Sequence, residues 1–175
     1  MYMFQLSSSF LNQPVMSLRS GGPVAQTVEA IINPNNLKVE GFYCEDPRNK
    51  KERLVLLSQD IRDIVPQGIA INDQEVLTSP EELVRLKEIL SIGFKLIGKP
   101  VVTASKERVG KVSDYAIEVE TMYVQKLYVA QSVVKSFSGG ALSIERDQIV
   151  EITNRKIVIQ DILKGAPAGA TVPAS

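Results

Sequence analysis

The chain has 175 residues, enough for one ordinary domain or two small ones. Its 20 basic residues balance 20 acidic ones, which disfavours a strongly basic nucleic-acid binder, and 44% hydrophobic with 23% charged residues is a globular balance. There is no histidine, which removes His-based triads, His general bases and most zinc or iron sites, so composition leans away from an enzyme and no metal or cofactor is expected.

No stretch approaches the roughly 20 apolar residues of a bilayer span, so membrane insertion is not expected. The start, Met1 to Ser9, lacks a basic n-region and a long apolar core, and no signal peptide is expected. The single cysteine, Cys44, cannot form an internal disulfide. A reducing, cytoplasmic setting is the expectation.

In chain order, strands are predicted over Val15–Leu18, Ala25–Ile32, Lys38–Glu45, Arg53–Ser58, and short pieces at Ile61–Ile64 and Ile69–Ile71. Turn signals separate them: Ser20-Gly21-Gly22-Pro23, Asn33-Pro34-Asn35-Asn36 and Pro66-Gln67-Gly68. Ser79-Pro80-Glu81-Glu82 predicts a helix start, with Ser79 as N-cap, Pro80 at N1 and Glu82 closing a capping box. Leu83, Leu86 and Leu90 form its apolar stripe, Glu81 can pair with Arg85, and Gly93 supplies a stop.

The strand pattern then recurs. Phe10 to Ser17 is echoed by Leu96 to Thr103, and Val39 to Cys44 by Val124 to Val129. Ile61, Ile64, Ile69 and Ile71 are echoed by Ile149, Ile152, Ile157 and Ile159. The offset drifts, placing length changes in loops. Val39, Phe42 and Cys44 switch parity exactly where Val124, Leu127 and Val129 do, which predicts a β-bulge at the same place in both copies. Tyr115, Ile117 and Val119 alternate with Glu118 and Glu120, which predicts a solvated face carrying both carboxylates. The fold expected is mainly β: two small six-strand barrels in tandem, residues 1–78 and 95–164, joined by a helical linker over 79–94 and followed by a flexible tail over 165–175.

Each copy resembles a PRC-barrel, the small β-barrel of the photosynthetic reaction-centre H subunit and of a bacterial ribosome-maturation factor. The residues that carry the resemblance are Ile97-Gly98-Lys99-Pro100-Val101, then Val109-Gly110-Lys111-Val112-Ser113-Asp114, and the closing Asp147-Gln148-Ile149 with Ile157-Val158-Ile159. Asp60-Ile61 with Ile69-Ala70-Ile71 matches the ending in the first copy, which departs from the pattern at Asn12-Gln13-Pro14 and Ala25-Gln26. The resemblance implies a scaffold that binds proteins and supplies no catalytic residues.

Candidate chemistry is sparse. Cys44 has no histidine to activate it and shares a face with Phe42, so a buried thiol is expected. The glycines of Ser20-Gly21-Gly22 and Ser138-Gly139-Gly140 read as turns, since neither is followed by a phosphate-loop Lys. Arg48, Lys50, Lys51 and Arg53 form the one basic run that could meet RNA or an acidic partner, although no aromatic stands beside it for base stacking. Val84 lies off the helix stripe and is a spare apolar position for a partner or a second copy. Residues 1–78 carry net −2, 79–94 net −1 and 95–175 net +3, a charge split that would orient a partner or a homodimer. The function expected is a non-catalytic protein-interaction adaptor or scaffold. The alternatives are a ribosome-associated, small-subunit maturation factor and, with least support, a small-molecule-binding barrel.

Overall fold

A computed structural model of the chain describes residues 3–131 and 141–161. The second glycine turn at Ser138-Gly139-Gly140 and the expected tail over 165–175 lie outside the described residues. The fold is mainly β, with two sheets and one short α-helix. Leu6–Phe94 forms one compact unit, and residues 3–5 belong with the described residues from Lys95 onward in the other.

In the first unit, β2 (Pro14–Ser17), β3 (Gly22–Ile32), β4 (Val39–Asp46), β5 (Asn49–Leu57), β6 (Ile61–Val65) and β7 (Gly68–Ile71) follow the expected strands. In the second, the series is β8 (Pro100–Thr103), β9 (Arg108–Glu118), β10 (Val124–Gln131), β11 (Leu142–Glu145), β12 (Ile149–Ile152) and β13 (Ile157–Ile159). The sheet orders are β5-β4-β3-β2-β7-β6 and β11-β10-β9-β8-β13-β12, one and the same path. A parallel pairing sits at the same step in each, Val15 opposite Ile69 and Val101 opposite Ile157. The expected six-strand closure is not found: β5 and β6 end one path and β11 and β12 the other, with no ladder joining the ends among the described residues.

The bulges fall where the parity switch put them. Glu40 is the extra residue between the pairs Ile31–Gly41 and Ile32–Val39, and Gln125 is the extra residue between Ala116–Lys126 and Ile117–Val124. Each lets two successive apolar side chains of its strand face inward and bends the strand around the core. That core stacks Phe10 on Phe42 in the first unit, ring centroids 5.6 Å apart. Around them Val15, Val39, Leu56, Ile69 and Ile71 are fully buried. Tyr115, Ile117, Leu127, Val129, Ile144, Ile157 and Ile159 do the same in the second unit. Gly110, the glycine of the Gly-Lys-Val motif, is required by a close approach: a Cβ there would collide with the carbonyl oxygen of Ala130 on β10.

Two elements differ from expectation. A further strand, β1 (Phe4–Leu6), pairs with β9. The region predicted as one helix is two 3-10 turns, Pro80–Glu82 and Val84–Leu86, followed by α1 (Lys87–Ile92). Leu83, at ψ 70°, interrupts the helical path between the turns. The Ser79 hydroxyl makes no cap bond; its backbone carbonyl instead accepts from the Glu82 amide at 3.1 Å. A 3-10 turn closes on the backbone carbonyl three residues back, which leaves the hydroxyl no role there. Gly93 ends α1 in the left-handed region, as expected.

Candidate functional site

The site is built by the way the chain leaves β7. Thr78 bridges the outer edge of β5: the Val55 amide donates to the Thr78 carbonyl at 2.7 Å and the Thr78 amide returns the bond at 3.1 Å. Residues 79–86 are thereby delivered alongside the end of β5. Between them lies a groove of about 480 Å³. Leu57, Leu83 and Leu86 supply its apolar surface, and Leu83 and Leu86 share a face because three residues make one 3-10 turn. The rim carries two cations, Lys38 and Arg85, and two carboxylates, Glu40 and Glu82. Glu40 is held in place by the Asn33 side-chain amide, which donates to it at 3.2 Å.

Val84 stands on this rim and is 79% exposed. With Leu83 and Leu86 it leaves aliphatic surface in water at the edge of the groove. Ser58 is the one hydroxyl in the lining, and it donates to the Val39 carbonyl at 2.6 Å, which ties the turn after β5 to the start of β4. With no histidine in the chain, no imidazole stands by to activate it. The arrangement can bind an apolar segment and orient it by charge.

The basic run lies elsewhere. Arg48 is in the two-residue turn between β4 and β5, its amide donating to Asp46 Oδ1 at 2.8 Å and its Nε 3.9 Å from the same oxygen. Lys50, Lys51 and Glu52 are bulged between the pairs Asp46–Asn49 and Glu45–Arg53. Arg53 donates to Glu29 Oε2 at 2.9 Å and lies over the Tyr43 ring, 4.1 Å from its centroid. Tyr43 is the aromatic partner that the sequence order concealed: it sits one strand over, beside Arg53 in space and ten residues away in sequence. Burial raises the Tyr43 phenol above its ordinary range, partly offset by the Arg53 charge. Two of the four cations have carboxylate partners, Arg53 with Glu29 and Arg48 with Asp46. At about 3.3 Å per residue along β5, Arg53 to Lys50 lie roughly 13 to 23 Å from Leu57 and Arg48 lies beyond them, too far to join the groove. Val84 and the basic residues are therefore separate surfaces.

Cys44 is fully buried, its thiol 3.7 Å from the Phe42 carbonyl. Burial pushes the thiol up to about 12, with a backbone hydrogen bond from Leu56 opposing it weakly. A thiol so protonated is no nucleophile at neutral pH. The expectation for Glu118 fails: it is buried, while Glu120 is exposed. β9 ends at Glu118 and the chain turns back, so its carboxylate faces the turn, accepting from the Thr121 hydroxyl and from the Gln125 amide at 3.4 Å.

Among the described residues no group of three or more Cys, Asp or Glu is placed to hold a metal ion, and no helix is long and apolar enough to cross a membrane. Val84 is exposed, as its place off the apolar stripe implies, but the groove was not legible in sequence, because the Thr78–Val55 bridge beside it has no sequence signature. No protein-family model and no curated protein sequence matches the chain.

Proposed function

We propose that the protein is a non-catalytic adaptor built on two PRC-type units, and that its first unit engages an apolar segment of a protein partner in the groove beside Val84. The observation that carries this reading is Val84 itself, 79% exposed on the rim of a leucine-lined groove. The PRC-type reading is supported by the shared strand order, the matching parallel step and the matching bulges of the two sheets. Mixed rim charge favours a segment that carries both signs around an apolar anchor, with the charges setting orientation and the anchor most of the affinity.

The test is capture of partners from the source organism by the intact chain and by Val84→Glu, read by mass spectrometry. The expected result is a defined protein retained by the wild type and weakened at least about tenfold by Val84→Glu, the effect of about 1.4 kcal/mol at a buried anchor. Undiminished capture by the variant would overturn the groove as the working surface. Saturable turnover of a small molecule by the purified chain would overturn the adaptor reading itself.

A further inference from the structure

The second sheet has a strand side that its own series does not fill. β10 lines one side of β9 from Gly110 to Ile117, whereas β8 covers the other only from Arg108 to Lys111. β1 pairs with β9 beyond the reach of β8, and the Val119 amide just past the strand donates to the Met3 carbonyl at 2.9 Å. The hold is thin: Phe4 and Leu6 remain 47% and 43% exposed, and the Lys126 ammonium lies 5.9 Å from the Phe4 ring centre. In the first unit the matching stretch of β3, Glu29–Ile32, shares a small cavity lining with the half-buried Ile89 and Leu90 and the buried Phe94. Residues 3–5 thus belong with β9 in the second unit, and Ile89 to Phe94 with β3 in the first.

We propose that the side of β9 occupied by β1 is a strand-acceptor site, and that its partner in trans is the same segment, residues 3–6, of a second copy of this chain. Main-chain bonds supply the attraction and the alternation of Phe4, Gln5 and Leu6 sets the register, the mode of strand addition. Cis and trans occupants make identical contacts, so effective concentration decides between them. A three-residue strand with its side chains half in water belongs to the low end of local stability, so it leaves before the sheet opens. This surface is separate from the Val84 groove, and its test does not depend on that reading.

Two measurements on the full-length chain decide it. In the wild type, amide hydrogen exchange at Val119 is expected to be at least about 100-fold faster than at the β9 amides bonded to β10, because it reports release of β1 alone. Equal protection would overturn the proposal. The second uses Gln5→Pro. Because the Met3 carbonyl faces β9, the two-residue period points the Gln5 amide the same way, and proline removes it. A synthetic peptide of residues 3–8 is then titrated by NMR. Saturable shifts confined to residues 114–119 are expected in Gln5→Pro, with binding about tenfold weaker to the wild type, where β1 competes. A folded variant that shows no shifts, or shifts centred in the first unit, would overturn the proposal. Should the variant fail to fold, the wild-type exchange result stands as the deciding one.

Discussion

Cys44 illustrates how one buried side chain links packing to pH. Its thiol is held protonated up to about 12, against an ordinary value near 9. The native state therefore keeps a proton that the unfolded chain loses above pH 9, so stability falls as pH rises from about 9 toward 12, at up to about 1.4 kcal/mol per unit. Below pH 9 both states are protonated and the group contributes no pH dependence. Val129 occupies the matching position on β10, paired with Val112 as Cys44 is with Thr27. Cys44→Val is accordingly expected to fold and to lower the slope of denaturation midpoint against pH between 9 and 12 relative to the wild type. Tyr and Lys titrate in both proteins, so the difference between the two slopes isolates the thiol. Identical slopes would show that Cys44 is not desolvated as its burial requires.

At the scale of elements, the turns after β3 and β9 are the same device with the chemistry exchanged. The Leu37 amide donates to the Asn33 carbonyl and the Met122 amide to the Glu118 carbonyl, both at 2.8 Å, with Leu37 and Met122 each in the left-handed region. In the first turn the Asn33 amide side chain donates to the Glu40 carboxylate; in the second the Gln125 amide donates to the Glu118 carboxylate. Donor and acceptor have traded ends of one hydrogen bond, and each bond reaches the bulge residue of the next strand. Glu118→Ala is expected to cost about 1–3 kcal/mol by leaving the Thr121 hydroxyl and Gln125 amide without their acceptor. Gln125→Glu sets two carboxylates together and is expected to be destabilising. Adding Glu118→Gln to it restores an amide–carboxylate pair, and urea denaturation of the four proteins should give a favourable coupling of about 0.5–3 kcal/mol. Additive effects would dismiss the pairing.

The same elements show what was legible in the residues alone. The six strands of the first unit could be read because β-branched and aromatic residues cluster between turn residues, and most of the second unit's by their echo of the first, and even the bulges were readable from the parity switch at Phe42 and Leu127. Glu118 was misread because alternation holds only while the strand continues, and β9 stops at that residue. β1 was missed because three residues, Phe4 to Leu6, are too few to display a period. Ser79 carried a correct motif for an α-helix but begins a 3-10 turn, where a backbone carbonyl does the capping. The basic run looked continuous because its counter-charges, Glu29 and Asp46 among them, come partly from other strands. Local rules place elements; partners drawn from distant strands decide which side chains remain available.

For the molecule as a whole, the boundary between the two units falls inside a few residues of chain. Phe94 closes the first unit, buried beside Ile31 and Ile32, while Leu96, two residues on, is buried in the second. Each side chain anchors the end of a strand-bearing core, and truncating either to alanine removes enough buried area and leaves enough cavity to cost about 2–5 kcal/mol. If the units unfold as separate cooperative bodies, the losses should appear in different places. Phe94→Ala is expected to speed amide exchange in β3 and β4 while leaving β9 and β10 at wild-type protection, and Leu96→Ala to do the reverse. Hydrogen exchange read by mass spectrometry at peptide resolution separates these regions. Loss of protection throughout both sheets in either variant would show instead that the chain unfolds as one body, with the division into two units confined to its architecture and absent from its energetics.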